Sequence, residues 1–317
     1  MPELPEVQTT VNGLNRRVSG LTINDVWTDY NSPFHAGRDN IKDPVFFKYF
    51  KGEVAGAKIV RVDRRAKNIL IHIEKAAKKS VILIHMKMTG HVMYGHYVFD
   101  KEKTKDPWTP AANERESLRD PFNRRIHLVM TLSNGKQIVL SDTRKFAKVT
   151  MISETHLEEN LQNSEHLSDL GPEPLDKNFS FHIFKKRLDR RPNGRIKNVL
   201  MDQTVIAGVG NIYSDEALWR AGIHPEERVK NIPDALLKKL YAATLAVLKN
   251  GIDFGGDSMS DYRNIDGERG RFQEKHQAYR KTGEKCSKPG CHGTITRKVV
   301  GGRSAHFCDT HQKLLGK

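Results

Sequence analysis

The hydrophobic pattern of this chain changes once along its length, and that change constrains the fold more than any other feature. Between residues 21 and 152, short runs of β-branched and aliphatic residues recur, and turn pairs such as Asn134-Gly135 separate several of them. After residue 174 apolar residues recur at helical spacing, as at Leu236, Leu237, Leu240, Leu245 and Leu248. The sequence therefore predicts an α+β protein, in which an antiparallel β-sandwich or flattened barrel precedes a helical domain.

A helix is predicted before the sheets, over residues 2–18, because four apolar residues share one helical face: Val7, Val11, Leu14 and Val18. Residues 100–122 are charged and contain prolines, so we predict a long surface loop there. The predicted strands are Ile59–Val62, Ile69–Ile73, Val81–Ile84, His127–Leu132, Gln137–Leu140 and Lys148–Ile152.

The length of 317 residues exceeds what one hydrophobic core usually organises, so two domains are expected. We predict a first domain over residues 1–152, a polar, acidic linker over 153–169, a helical domain over 170–283 and a terminal cysteine-bearing domain over 284–317.

The net charge of +15 favours a polyanionic partner, because each phosphate that a protein neutralises releases counterions. A basic soluble protein without a nucleic acid partner is the alternative. No run of eighteen apolar residues is present, so we expect no membrane span. The first ten residues, MPELPEVQTT, lack the pattern of a secretion signal, so we expect the protein in the cytosol or nucleoid.

The N-terminus carries the first chemical motif. Pro2 is small enough to permit removal of Met1, which leaves a secondary amine, and an α-amino group has an ordinary pKa of about 7.7–8.0. Attack by this amine on an aldehyde-level carbon forms an iminium ion, and Glu3 and Glu6 lie within one helical turn to move protons. Proline and glutamate are also favoured in the first turn of any helix, so spacing alone leaves both interpretations open.

Ala207-Gly208-Val209-Gly210 joins two predicted helices, and Asn211 opens the second. Glycines allow a close backbone approach, and the N–H groups of a helix start bind phosphate. Tyr213 stands where a dinucleotide motif needs its third glycine, so that motif is excluded. An ordinary glycine turn between packed helices is the alternative.

The three cysteines lie near one end of the chain and indicate a metal site rather than a disulfide framework. Cys286 and Cys291 are separated by four residues, and Cys308 and His311 by two. Three thiolates and one imidazole predict one structural Zn²⁺ without an open coordination position. His292 and His306 are alternative fourth ligands, although the spacing favours His311. The basic hairpin between the two pairs suits a phosphate backbone.

Four further residues stand in short basic or apolar motifs: Lys67, Met88, Arg144 and Phe146. Basic residues beside apolar wedges suit a protein that opens a base pair and fills the gap. Taken singly, Met88 and Phe146 are better explained as core residues, and Lys67 and Arg144 as solvated charges.

Together, these motifs resemble those of the formamidopyrimidine-DNA glycosylase and endonuclease VIII family. The similar segments occur in the family's order from residue 1 to residue 311: MPELPEV, RRAKNIL, HMKMTG, SDTRKF, LGPEPL, IKNVLMDQTVIAGVGNIYSDEALWRAGIHP and the hairpin with GGRSAHFC. The resemblance implies a β-sandwich joined to a helix–two-turn–helix domain with a zinc-finger hairpin. Double-stranded DNA with a damaged base is then expected in the cleft between the domains of a monomer.

The resemblance also implies roles for individual residues. Pro2 is expected to attack C1′ of the flipped-out nucleotide, Glu3 to act as general acid/base on the sugar, and Glu6 to support the N-terminus. Base excision repair then follows through β- and δ-elimination. The residues expected to hold phosphates or lie near the lesion are Lys67, Lys197, Asn211 and Arg303. Met88, Arg144 and Phe146 are expected to enter the duplex, with Arg144 reading the orphaned base.

The Met88, Arg144 and Phe146 set resembles the formamidopyrimidine branch, which implies oxidised purines as substrates, namely 8-oxoguanine and ring-opened formamidopyrimidines. Three features depart from the family's usual pattern. The first is the cysteine spacing with His311 as last ligand, and the second is the long charged loop around residues 100–120. The third is the sequence of residues 255–272, the loop that closes over an extruded base in this family. They keep two alternatives open, an oxidised-pyrimidine glycosylase and a non-catalytic, zinc-dependent protein that binds damaged DNA.

Overall fold

The computed structural model describes residues 1–153 and 167–315. The chain begins with helix α1 (Leu4–Val18), whose apolar face is buried. Strand β1 (Ile23–Thr28) and helix α2 (Pro44–Val54) follow. Asp43 caps α2 by accepting hydrogen bonds from the N–H groups of Val45 and Phe46. The predicted leading helix is therefore confirmed, although it begins at Leu4 rather than at Pro2.

Two four-stranded antiparallel sheets form the N-terminal β-sandwich, as the sequence predicts. Besides β1, the strands are β2 (Lys58–Arg65), β3 (Asn68–Lys75), β4 (Lys78–His85), β5 (His91–Gly95), β6 (Tyr97–Phe99), β7 (Trp108–Pro110), β8 (Ile126–Leu132), β9 (Gln137–Ser141) and β10 (Lys148–Ser153). One sheet has the order β10-β4-β3-β2 and the other β1-β8-β9-β5.

One hydrophobic core joins the two sheets and α1. Ile71 and Ile82 come from the first sheet, and Met130 and Leu140 from the second. Val7 of α1 packs into the same core. Burial of this apolar surface holds the sandwich together and fixes the position of α1 on it.

The segment over residues 100–122, predicted as a long surface loop, is more structured than that. Its first part contains β7, which pairs with β6 immediately before the segment. Two 3-10 helices follow, Glu116–Arg119 and Pro121–Asn123. Leu118 is 1% exposed. The segment does lie at the surface, as predicted, since only Ala111 and Leu118 are buried in it. It is more ordered than a loop, because Leu118 packs with Met93, Tyr97 and Ile126. Hydrogen bonds also join the segment to residues 263–267.

The C-terminal part contains helices α3 (Phe181–Leu188), α4 (Ile196–Met201), α5 (Asn211–Ala221) and α6 (Asp234–Asp253). The hairpin β11 (Ile295–Val300) and β12 (Arg303–Cys308) follows, as the basic and SAHF segments predict. The α+β fold class is thereby confirmed. Within the described residues, no helix is long and apolar enough to cross a membrane.

Contacts divide the chain into two compact units. Unit 1 contains residues 1–167 and 254–271, and unit 2 contains residues 168–253 and 272–317. Residues 254–271 lie inside the predicted 170–283 domain but group with unit 1, because Ile265 packs into its core. Gly13 of α1 makes room for Ile265, since a Cβ there would lie 2.7 Å from Cδ1. Most of the predicted linker, residues 154–166, lies outside the described residues.

Candidate functional site

The first turn of α1 fixes Pro2, Glu3 and Glu6 in one place. Glu3 is the N-cap residue, and the Glu3 and Glu6 side chains form a reciprocal capping box. The Glu3 N–H donates to Oε2 of Glu6 at 2.7 Å. Pro2, Glu3 and Glu6 are buried, while Met1 is 41% exposed and accessible for removal. Both interpretations of the MPELPE motif therefore agree with the structure: a capped helix start also positions a candidate amine beside a carboxylate.

The segment over residues 254–271 also holds Glu6, through a second backbone N–H group. The Asp257 N–H donates to Oε1 of Glu6 at 2.7 Å. The Tyr262 hydroxyl donates to the Glu6 carbonyl at 3.0 Å. Gly256 permits this approach, because its φ is +88° and a Cβ would lie 2.9 Å from Cγ of Glu6. Both carboxylate oxygens of Glu6 thus accept backbone hydrogen bonds, which suits a supporting role rather than proton transfer.

Lys67 lies in the tight turn between β2 and β3, after Ala66 in the left-handed region at φ +52°. It is 5% exposed. Burial, Lys87 and Lys67 together lower the pKa of His85 to about 3. Burial and Lys148 lower the pKa of Lys87 as well. This end of the sheet is therefore a concentrated positive region, and sequence reasoning found only Lys67 of it.

Arg144 and Phe146 occupy one exposed loop and contact each other. The Arg144 guanidinium lies over the Phe146 ring, 4.5 Å from its centroid. Phe146 is 49% exposed. An exposed aromatic ring beneath a guanidinium is a suitable pair for entering a duplex, because each has a flat face that stacks on a base.

Asp142 holds this loop and was missed as a site residue, although it stands in the SDTRKF motif. It is fully buried and accepts hydrogen bonds from the Tyr30 hydroxyl at 2.9 Å and the Ala147 N–H at 2.7 Å. The Thr89 hydroxyl also donates to it, and Thr89 Oγ1 accepts the Arg144 N–H at 3.1 Å. Since half-buried Met88 precedes Thr89, the structure connects all three predicted wedge residues through one carboxylate.

Unit 2 places Lys197 in the protein interior rather than on a surface. Lys197 on α4 forms an ion pair with Asp215 on α5, and neither side chain is exposed. The second Asp215 oxygen accepts the backbone N–H of His306 at 2.9 Å and contacts its Nδ1 at 3.0 Å. The carboxylate thereby fastens β12 to both helices.

The glycine loop before α5 is held by Gln203, a residue that the motif did not single out. Its Oε1 accepts the Gly208 N–H at 2.9 Å, and its Nε2 donates to the Val209 carbonyl at 2.8 Å. Gly208 has φ +94°. Asn211 begins α5, as predicted, and its Nδ2 contacts Ser304 Oγ at 3.4 Å. The loop therefore presents a fixed helix N-terminus, the backbone arrangement that binds phosphate.

The hairpin between β11 and β12 brings Arg303 to the same region of unit 2. Gly301 and Gly302 form its turn with positive φ values of +55° and +77°. A Cβ on Gly301 would collide with the Asn198 side chain, so glycine is required there. Arg303 follows the turn and is exposed. The tip of this hairpin therefore carries Arg303 and lies beside Asn198 of α4 and Asn211 of α5.

Cys286, Cys291, Cys308 and His311 form a possible metal-binding cluster, and their ligand atoms all lie within 4.8 Å of one another. Cys291 Sγ lies 3.5 Å from Cys308 Sγ, and Cys286 Sγ lies 3.4 Å from Nδ1 of His311. In a tetrahedral zinc site, such atoms are separated by about 3.3–3.8 Å. The donor set and its spacing thus fit the predicted Zn²⁺.

The structure selects His311 among the three candidate histidines. Its Nε2 lies 3.1 Å from the Trp219 carbonyl, which leaves Nδ1 facing the sulfur atoms. His306 instead contacts Asp215, and His292 is exposed outside the cluster. Burial lowers the pKa of His311, which favours the neutral imidazole that a metal requires.

Comparison with known proteins agrees with both units. Residues 1–149 match the formamidopyrimidine-DNA glycosylase N-terminal domain, and residues 170–263 match the formamidopyrimidine-DNA glycosylase H2TH domain. The formamidopyrimidine-DNA glycosylase of Pelotomaculum thermopropionicum is 34% identical over 99% of this chain and 100% of its own length. That of Bacillus subtilis is 34% identical over 97% and 98%.

Solved structures of the Lactococcus lactis enzyme share the fold. Its complex with DNA containing an abasic site has a TM-score of 0.78 at 30% identity, over 98% of this chain and 99% of that one. The same enzyme has been solved with DNA containing Fapy-dG, with a TM-score of 0.77, 30% identity and 98% and 100% coverage. A third complex contains DNA with an oxidised pyrimidine, with a TM-score of 0.77, 29% identity and 98% and 100% coverage.

The fold, the site and these similarities define a DNA-binding glycosylase of DNA repair. More specifically, the chain belongs to the formamidopyrimidine-DNA glycosylase family.

Proposed function

We propose that this protein is a bifunctional glycosylase and abasic-site lyase that removes oxidised purines through the amine of Pro2. The observation that carries the proposal is the first turn of α1. There, Glu6 binds the Glu3 N–H on one side and the Asp257 N–H on the other. A residue held at both carboxylate oxygens keeps the Pro2-Glu3 segment in one conformation, which is what a nucleophile with a neighbouring acid requires.

In the proposed reaction, the Pro2 nitrogen forms a bond to C1′ as the glycosidic bond breaks and the base leaves with that bond's electron pair. The nitrogen then loses its proton to Glu3. Glu3 protonates the ring oxygen as the C1′–O4′ bond opens, and an iminium ion remains. Loss of a proton from C2′ then releases the 3′ phosphate, and a second elimination releases the 5′ phosphate. The iminium ion accepts the electrons at each stage, so Glu3 needs only to move protons.

The proposed phosphate contacts come from positive or N–H-rich positions in each unit. Lys67 contributes from the positive sheet end in unit 1, and Asn211 and Arg303 from the hairpin tip in unit 2. Met88, Arg144 and Phe146 are proposed to fill the space that the flipped nucleotide leaves. Lys197 is proposed to act near the substrate through the position of α4, since its ammonium is paired with Asp215.

The cysteine–histidine cluster is proposed to hold one structural Zn²⁺. Its contribution is structural, because all four ligand positions come from the protein. Cys308 ends β12, so the ligand set keeps the hairpin with Arg303 attached to the rest of unit 2.

Borohydride trapping tests the proposal, since hydride reduces an iminium ion to a stable amine. An 8-oxoguanine duplex should yield a covalent protein–DNA adduct with protein whose Met1 has been removed. Pro2→Gly should lose most of the adduct. The matched control retains Pro2 behind an uncleaved N-terminal extension, in which its nitrogen is an amide. No adduct with fully processed protein would reject the proposal. DNA binding that is equal in the wild type and both altered proteins, without base release or strand cutting by any of them, would instead favour non-catalytic binding.

Oxidised pyrimidines are the second candidate substrates. The observation that favours them is the Lactococcus lactis complex with an oxidised pyrimidine. In addition, the sequence of residues 255–272 differs from the family's usual pattern. Competition between thymine glycol and 8-oxoguanine duplexes decides between the two. A higher kcat/KM for 8-oxoguanine supports the purine proposal, and the reverse order replaces it.

A further inference from the structure

Arg263 is a buried guanidinium in the segment over residues 254–271, and it is 3% exposed. Its Nε and Nη2 donate to the two carboxylate oxygens of Asp120, at 3.1 and 3.3 Å. Its Nη1 donates to the carbonyls of Ser260 at 3.0 Å and Tyr262 at 2.9 Å. One side chain thus joins the turn over residues 260–262 to the segment that was expected to be a surface loop.

Asp120 is held in turn by its own surroundings. Its Oδ1 accepts the Phe122 N–H at 2.9 Å, and the Phe122 ring lies beneath the Arg263 guanidinium, 4.7 Å from centroid to Cζ. Burial raises the pKa of Asp120, but hydrogen bonds from Phe122 and Arg263 outweigh it and lower that pKa overall. Asp120 is therefore an ionised, pre-positioned acceptor at neutral pH.

A second set of contacts joins the same two segments a few residues away. The Ser117 hydroxyl donates to the Asp266 carbonyl at 2.6 Å, and Asn123 Nδ2 donates to the Gly267 carbonyl at 3.3 Å. Gly267 has φ +77°, and a Cβ there would lie 2.6 Å from the Ser117 carbonyl oxygen. Residues 115–123 therefore form a brace along residues 260–267.

The segment over residues 254–271 contacts Glu6, close to the candidate nucleophile, through Tyr262 and Asp257. Tyr262 donates its hydroxyl to the Glu6 carbonyl, and Asp257 donates its N–H to the Glu6 carboxylate. The Ser258 hydroxyl donates to the Tyr262 carbonyl at 2.7 Å, which closes the turn between them. Arg263 binds that same Tyr262 carbonyl, so loss of its guanidinium would loosen both groups that hold Glu6.

We propose that residues 115–123 are a built-in brace for the proposed active site, and that Arg263 is a positioning residue which acts through Tyr262 and Asp257 on Glu6. This inference rests on the proposed function, because Glu6 matters for rate only if Pro2 is the nucleophile. It assigns a function to the second part of the long charged segment, from residue 115 onward. The segment orders the part of unit 1 that faces the first turn of α1.

Arg263→Met removes the guanidinium and keeps an unbranched side chain. Arg263→Lys retains the charge towards Asp120 but lacks the fork that also reaches the two carbonyls. Arg16→Met is the matched control, because Arg16 is an exposed arginine of the same unit that lies outside residues 115–123 and 254–272. Each variant is assayed for adduct formation on a preformed abasic duplex, for single-turnover base release at saturating DNA, and for amide hydrogen exchange.

We expect Arg263→Met to slow both reactions by about tenfold or more, because small displacements of a positioned nucleophile are costly, while KM changes less than about threefold. The Asp257 amide should exchange faster, since its hydrogen bond opens more often. Arg263→Lys should recover part of the rate, and Arg16→Met should match the wild type.

The outcomes separate this inference from the proposed function. An active wild type with an equally active Arg263→Met variant overturns the positioning role alone, as does unchanged exchange at Asp257. A parallel loss of affinity and thermal stability without a change in single-turnover rate assigns Arg263 to the fold only and also overturns it. A wild type that forms no adduct rejects the proposed function itself, whatever the exchange shows.

Discussion

Lys197 and Asp215 form an ion pair in which neither side chain is exposed to solvent. Removing two charges from water is costly, so such a pair is tolerated only when further hydrogen bonds satisfy it. Here His306 supplies them from β12, through its backbone N–H and its Nδ1. The pair therefore connects helices α4 and α5 to the metal-binding hairpin.

Asp215→Asn should lower the free energy of unfolding of unit 2 by about 3–5 kcal/mol, because Lys197 is then a buried charge without its counter-ion. The matched control is Glu226→Gln, which removes a more exposed pair with Lys298 at 2.9 Å and should cost about 1 kcal/mol or less. Urea denaturation measures both. Equal costs for the two variants would contradict the structural role of the buried pair.

Metal content distinguishes the candidate histidine ligands. The purified protein should contain one Zn²⁺ per chain, and His311→Ala should lose it, whereas His292→Ala should retain it. Cys308→Ser or chelation should weaken DNA binding more than it destabilises the β-sandwich, because the cluster lies entirely in unit 2. Elemental analysis, DNA titration and the far-UV signal of the sheets check each step. Loss of the whole protein's thermal transition on chelation would contradict the prediction.

Asp142 should control the loop that carries Arg144 and Phe146. Asp142→Asn replaces one acceptor oxygen by an amide donor, which then faces groups that themselves donate, including the Tyr30 hydroxyl and the Ala147 N–H. We expect a loss of about 2–4 kcal/mol in the free energy of unfolding, since more than one buried donor loses its acceptor.

Thr89→Val is the graded control for Asp142→Asn. It removes one donor to the same carboxylate and should cost about 1–2 kcal/mol. Affinity for a lesion-containing duplex should fall in the same order, with Asp142→Asn the weaker binder. If Thr89→Val binds more weakly than Asp142→Asn, the wedge loop is not organised by this carboxylate.

Local patterns predicted the elements whose residues alternate or repeat clearly, and they missed the others. Strands β3 and β4 are rich in isoleucine and leucine and were predicted within three residues at each end, whereas β1 and β5 have mixed sequences that no periodicity marks. The three cysteines and His311 were predicted from spacing, because ligands in two short knuckles are constrained locally.

Long-range contacts set the limit of the sequence prediction. Asp120 and Arg263 are 143 positions apart, and Glu6 and Asp257 are 251 apart. No local sequence pattern indicates which distant segment each of these residues contacts. The brace and the hydrogen bond from Asp257 to Glu6 could therefore be found only from the structure. The burial of Lys197 was missed for the same reason, since a lysine in an amphipathic helix is ordinarily exposed.

The final prediction concerns the dependence of unit 1 stability on pH. The Lys87 N–H donates to Nδ1 of His85 at 3.0 Å, so the folded protein requires neutral His85. Burial, with Lys87, Lys67 and Lys148 nearby, lowers the pKa of His85 to about 3, against about 6.5 in an unfolded chain. Between these two values the unfolded chain binds one more proton than the folded protein. Stability is therefore complete above about pH 6.5 and declines as the pH falls towards 3.

At pH 5 this linkage should lower the free energy of unfolding by about 1–2 kcal/mol relative to pH 7.5, allowing for the partial exposure of His85. His85→Asn keeps an acceptor for the Lys87 N–H but cannot be protonated, so this part of the pH dependence should disappear. His96→Asn alters an exposed histidine in the same unit and should leave the dependence unchanged. Denaturation at both pH values, followed by the fluorescence of Trp27 and Trp108 in a Trp219→Phe background, measures the difference. An equal loss on acidification in the wild type and His85→Asn would show that other groups account for it.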